Sequence, residues 1–183
     1  MEASVVTAER FAKGYTYKDY LDAIKDNPES KANVERFELN DKEFKLKDED
    51  TKFFAAQGKR LAGDKVVVIG EHWCPDVWRG LPIIARIAET AGLELRFFPR
   101  DQNLDIINEY LNQGKYGSIP VFAFYGNSFR ALRHWTERPK AASDFYAALA
   151  KELEGKSQEE AMAERRKRSA SEQEKWRQET VKE

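Results

Sequence analysis

Apolar residues fall at helical intervals over the first third of the chain and in short continuous or alternating runs after residue 64. Between residues 7 and 26, Phe11, Tyr15, Leu21 and Ile24 stand at roughly helical spacing; Thr7 suits a cap and Gly14 weakens the middle. Asn27-Pro28 ends that helix. Val34 and Phe37 predict a short helix over 29–38. The stretch from Leu39 to Lys47 is ambiguous, because Phe44 and Leu46 alternate with lysines as in an edge strand or an extended loop. Asp48, Glu49 and Asp50 suit the first turn of a further helix reaching about Leu61, with Phe53 and Phe54 as its expected core anchors.

At Lys65 the pattern shifts. Val66 to Ile69 is a continuous apolar run, as in a strand buried on both faces. Val77, Leu81, Ile84, Ile87, Ala88 and Ala91 form an amphipathic helical stripe that Gly92 closes, with Pro82 expected to kink it or cost it a hydrogen bond. Leu93 to Phe98 predicts a second strand, and Leu104, Ile107, Tyr110 and Leu111 another helix. Strand, helix, strand at this spacing is a βαβ unit with parallel strands and a right-handed crossover. Two runs, Tyr116 to Tyr125 and Phe129 to Trp135, flank Gly126-Asn127-Ser128 and predict a hairpin. A helix over 141–153 follows, with Phe145, Leu149 and Leu153 on one face. After Gly155 no apolar stripe remains, so 156–183 reads as a charged tail, either an exposed helix held by charge pairs or disordered.

Composition narrows the function classes. The 183 residues suit one domain with extensions, and net charge is −1, so no global field attracts nucleic acid or an acidic membrane. The basic run Arg165-Arg166-Lys167-Arg168 is flanked by acids and reads as a solvated surface. One cysteine excludes an intramolecular disulfide and any multi-cysteine metal site. Met1 to Val6 carries no basic segment leading into an apolar core, and no apolar run approaches the roughly 18 residues a membrane span needs. The expectation is a cytoplasmic protein with no metal, no nucleic-acid partner and no membrane association; its oligomeric state is left open.

The chemistry concentrates in Glu71-His72-Trp73-Cys74-Pro75-Asp76-Val77-Trp78-Arg79, where the first strand meets the long helix. Cys74 falls in or just before the first helical turn. Unsatisfied N–H groups and the helix dipole favour a thiolate there, and the thiolate is the nucleophile. Glu71 and His72 are close enough in sequence to move a proton at the sulfur. Asp76 opposes a thiolate by its charge unless it caps the helix, and Arg79 offsets it if it turns toward the sulfur.

This order of elements, with a Trp-Cys-Pro-Asp turn and a later Ser-Ile-Pro before a strand, resembles the thioredoxin fold over roughly residues 65–155. More narrowly it is similar to a bacterial thioredoxin-like group with Trp-Cys-x-Asp-Cys or Trp-Cys-x-Asp-Val turns. Leu81-Pro82, Arg100-Asp101 and Arg138-Pro139 match further features of that group. The resemblance implies an α/β fold: a central mixed sheet of about four strands flanked by helices, with a helical N-terminal extension over 1–64 and the charged tail beyond 155. It implies that Cys74 is the attacking cysteine and that Trp73, Pro75, Ile119 and Pro120 contact substrate. It also implies a cis bond before Pro120, with the Ile119 backbone open to an extended substrate strand. Two departures matter. Val77 stands where the resolving cysteine would be, and Val68 where thioredoxins bury a strand carboxylate.

Two functions follow. One is thiol-disulfide exchange by a single-cysteine oxidoreductase acting on protein or small-molecule thiols. It needs no bound cofactor, and a low-molecular-weight thiol serves as co-reductant. The other is a redox-inactive binding module that holds a partner peptide beside Ile119-Pro120, with Trp73, Trp78 and Tyr116 as platform. The turn lacks the glycine-phenylalanine-serine signature of single-cysteine glutaredoxins, which disfavours iron–sulfur binding.

Overall fold

Strand β1, Lys65–Gly70, lies at the centre of the sheet in the computed structural model, which describes residues 4–183. Its β-branched run suits this place: Val66 to Ile69 are fully buried because neighbours flank the strand on both edges. Strand β2, Glu94–Pro99, pairs with it in parallel, Val68 opposite Phe97. Strand β3, Val121–Tyr125, pairs antiparallel on the other side, Val68 opposite Phe122. Strand β4, Ala131–Thr136, completes the predicted hairpin, and the order is β2-β1-β3-β4. The sheet is therefore mixed and four-stranded, as expected. The chain divides into two compact units, one ending at Glu137 and the other spanning Arg138–Glu183.

In the first unit, five helices come before or between the first two strands. Helix α1 is Ala8–Ala12, α2 Tyr17–Lys25, α3 Lys31–Glu43, α4 Asp48–Gln57, and α5 Pro75–Ala91. The long helix expected over 7–26 is two helices. At Gly14 the chain closes on the sheet, where a Cβ would sit 2.7 Å from the Phe98 ring, and Tyr15 exchanges backbone hydrogen bonds of 2.9 and 2.7 Å with Phe97. A sheet contact thus overrides the helical period. The second helix is longer than expected: α3 absorbs residues 39–43, and only the stretch from Phe44 to Lys47 is extended. Phe44 is buried.

Phe53 and Phe54 are not core anchors. Helix α4 has no buried residue, Phe53 is 58% exposed, and Phe54 is half-buried against it edge to face. The acidic first turn selected the helix, but its apolar residues are too few to define a core face.

Helix α5 continues through Pro82 to Ala91, buries Val77, Leu81, Ile84 and Ala88, and ends at Gly92 in the left-handed region (φ 68°), whose N–H meets the Ala88 and Glu89 carbonyls. After β2 come a short 3-10 turn at Arg100–Gln102, then α6, Leu104–Ile107, and a second 3-10 turn at Asn108–Tyr110.

The second unit is helical: α7, Lys140–Glu152, α8, Gln158–Ser169, and α9, Gln173–Lys182. The charged tail forms the two helices α8 and α9. Ser157 and Glu160 form a reciprocal capping box at the start of α8. Trp176 of α9 is fully buried, its ring 5.3 Å from both Phe145 and Tyr146 of α7.

Candidate functional site

Cys74 is the N-cap of α5, in extended conformation, with Pro75 opening the first turn. Proline at that position loses no hydrogen bond, since its N–H would be unpaired in any helix. The Cys74 carbonyl accepts from the Val77 and Trp78 amides at 3.0 and 3.2 Å, and its amide donates to Glu71 at 3.1 Å, so the turn is closed on itself. The thiol lies 3.7 Å from the Ile119 carbonyl, to which it donates. The Ile119–Pro120 bond is cis. Four residues distant in sequence, Trp73, Cys74, Ile119 and Pro120, are thus gathered at one end of the sheet. Cys74 itself is only 9% exposed, while Trp73 beside it is 48% exposed.

The close approach of helix and cis-proline loop depends on Gly80. A Cβ there would stand 2.8 Å from Phe122 Cζ and 3.4 Å from Pro120 Cγ. Val77, in the place of a resolving cysteine, is fully buried and packs toward Gly70.

The surrounding polar groups sort into separate arrangements. Arg79 Nη1 meets Asp76 Oδ1 at 2.7 Å, and both residues are buried. The acid inside the turn is therefore balanced by a residue one helical turn on. His72 Nδ1 lies 3.0 Å from Asn33 Nδ2 of α3. With the asparagine amide donating, the neutral ring carries its proton on Nε2. The Trp78 indole N–H donates to the His72 carbonyl, and the Arg36 guanidinium lies 4.2 Å over the Trp78 ring. Trp78 is therefore engaged within the protein, unlike Trp73 and Tyr116, which are exposed.

Glu71 is buried, and its Oε1 accepts the Asp101 amide at 2.7 Å. Burial pushes the Glu71 carboxyl above its ordinary value; the Asp101 N–H partly opposes this, the Asp101 charge adds to it, and Arg100 and His72 oppose it. Arg100 pairs with Asp101 at 2.7 Å, lies 5.1 Å over the Trp73 ring, and reaches the Gly117 carbonyl at 3.5 Å. It connects the cysteine turn with the loop leading to the cis-proline.

Asn33 and Arg36 were invisible to motif reasoning, since nothing local marks them. Arg100-Asp101 carried a signal, an ion pair directly after a strand. A groove of about 1090 Å³ between Val5, Tyr110, Phe129 and Arg130 includes none of the candidate site residues. The site is a rim around a shielded sulfur. Among the described residues, no group of three or more His, Cys, Asp or Glu side chains is placed to hold a metal ion, and no helix is long and apolar enough to cross a membrane.

A cysteine at a helix N-cap, facing a cis-proline at one end of a mixed four-stranded sheet, defines the class. A thioredoxin family model matches residues 15–153, and the chain belongs to that family. Among solved structures it is similar to PA1234, a Pseudomonas aeruginosa protein of unknown function (TM-score 0.61, 18% identity, covering 97% of this chain and 96% of that one). It is also similar to an HIV epitope-scaffold (TM-score 0.58, 22% identity, covering 81% and 87%). At these identities both show the fold alone. No curated protein matches the chain.

Proposed function

We propose that this protein carries out thiol-disulfide exchange with Cys74 as its single nucleophile. The observation that carries the reading is the sulfur at a helix N-cap, 3.7 Å from the carbonyl that precedes a cis-proline. The ionised sulfur attacks a substrate disulfide. A Cys74–substrate disulfide forms, the substrate S–S bond breaks, and the other substrate sulfur leaves as a thiolate. Val77 supplies no second thiol, so a low-molecular-weight thiol, as its thiolate, attacks the mixed disulfide. It forms a new disulfide with the substrate sulfur and returns Cys74 as thiolate. No net electron is gained by the protein. Trp73, Pro75 and the Ile119 backbone contact the substrate strand. Two influences compete at the sulfur: the helix start favours the thiolate, while the Ile119 carbonyl, as acceptor from S–H, favours the thiol.

The test is the rate of Cys74 alkylation as a function of pH, together with exchange activity of Cys74→Ser. A midpoint near 7 or below and loss of exchange in the serine variant support the reading; a midpoint at the free value of about 8.5 overturns it.

The low exposure of Cys74 beside exposed Trp73 and Tyr116 favours a second reading. In it the rim binds a partner peptide and the sulfur has no chemical role. Capture of the same partners by Cys74→Ser supports that reading, and capture that depends on the thiol excludes it.

A further inference from the structure

The two edges of the sheet are not alike. At β2, Tyr15 exchanges backbone hydrogen bonds with Phe97 and covers part of the edge. Strand β4 pairs with β3, and among the described residues neither a further strand nor an isolated bridge joins its outer side. Thr136 stands opposite Val121, and the Glu137 amide donates to the Pro120 carbonyl at 2.7 Å. Alternate residues of an antiparallel ladder bond inward, so this register turns the amides and carbonyls of His134 and Thr136 outward. Residues 130–134 are exposed, Leu132 at 44%.

The free charges of this edge have one sign. Arg130 and Arg133 are exposed and form no ion pair with a described residue. The start of the strand opens into the groove of about 1090 Å³: Arg130 and Ala131 line it, with Val5 and Phe129 as apolar walls. The acids of that groove are already taken. Glu109 accepts the Ser4 hydroxyl at 2.7 Å and the Val5 amide at 2.6 Å, and Asp105 pairs with Arg10 at 3.0 Å. Phe129 holds a left-handed backbone (φ 59°), which is strained for a bulky residue. Its ring is backed by Phe11 at 5.6 Å and by the Lys65 ammonium at 4.9 Å, so this wall is fixed in place.

We propose that the outer edge of β4 binds an extended acidic segment of another protein as a fifth strand, with an apolar side chain of that segment seated in the groove beside Phe129. Main-chain bonds to His134 and Thr136 give affinity, and alternate side chains give selection. Carboxylates of the segment answer Arg130 and Arg133. A second copy of this chain brings the same two arginines to the same short edge, where like charges oppose pairing. The surface contains none of the residues around Cys74 and acts whether or not the sulfur exchanges disulfides.

The experiment adds two short peptides to the full chain, one alternating valine with glutamate and one alternating valine with lysine, and follows the backbone amides by NMR. The acidic peptide shifts residues 130–136 and slows hydrogen exchange at the His134 amide; the lysine peptide does neither. Charge reversal by Arg130→Glu with Arg133→Glu weakens the acidic peptide by about tenfold or more. His134→Pro removes an outward donor without touching the ladder to β3, and binding is lost. Should that variant not fold, N-methylation of alternate amides in the acidic peptide removes the same bonds from the other side, and binding is again lost. Equal binding of both peptides, unchanged affinity after charge reversal, or shifts confined to the groove overturn the proposal. A dimer of the free protein whose interface maps to 131–136 overturns it in favour of a second copy. Cys74→Ser binds the acidic peptide as the wild type does, so failure of the exchange reading and failure of this one are told apart.

Discussion

Residue by residue, the site is a set of charges whose burial decides what they do. Glu71 gives the sharpest case. Its folded value is raised above the ordinary 4.5, so the native state holds its proton more tightly than the unfolded chain does. Between the ordinary value and the raised one, stability falls as pH rises. Glu71→Gln keeps an acceptor for the Asp101 amide and removes the titration. Urea unfolding of both proteins near pH 4 and pH 8 checks this. Relative to Glu71→Gln, the wild type is more stable at the acid end and loses that advantage as pH rises through the folded value. An advantage independent of pH would mean that burial does not govern this carboxyl. The placement of Cys74 was legible in sequence because proline after a cysteine, then an acid and an amphipathic stripe, can only start a helix. The Asp76–Arg79 pair was not, since an i,i+3 spacing allows the arginine to face either its acid or the sulfur.

At the scale of elements, the site exists because α5 approaches the loop before β3 closely, and Gly80 permits it. Alanine there has opposite effects. It improves helix propensity by about 1 kcal/mol. It also drives a methyl to 2.8 Å from the Phe122 ring, and overpacking of this kind costs about 1–3 kcal/mol. The ring is stacked on Trp135 at 4.9 Å and cannot swing away freely, so the second effect wins. Gly80→Ala should lower stability in urea unfolding by about 1 kcal/mol and change the alkylation rate of Cys74 by shifting Pro120. A stabilised variant with unaltered alkylation would contradict the packing account. The core elements were readable because a continuous valine run and a long stripe each admit one placement. The first helices were less so. Gly14 and Tyr15 leave the helical period for a contact with Phe97, a partner more than eighty residues away that no local pattern announces. Helix α4 misled for the opposite reason: two adjacent phenylalanines mark an apolar pair, not a buried face.

Across the whole molecule, the second unit shows how few apolar residues suffice when their spacing lets helices meet. Residues 156–183 carry one tryptophan in a field of charges and no apolar stripe. The hydrophobic period fails there because the core is assembled between helices, not along one. Trp176 of α9 meets Phe145 and Tyr146 of α7, and the charged faces of α8 and α9 remain in water with pairs such as Arg168–Glu152 at 2.6 Å. Such exposed pairs contribute about 0–1 kcal/mol each, so they do not hold the unit. Removing the tryptophan should: truncating a large buried aromatic costs about 3–5 kcal/mol. A unit of three helices has little else to replace it. Trp176→Ala is therefore expected to open residues 158–182 to limited proteolysis, while Arg168→Ala leaves them resistant. Equal resistance in both variants would shift the anchoring of this unit from its aromatic cluster to its charges.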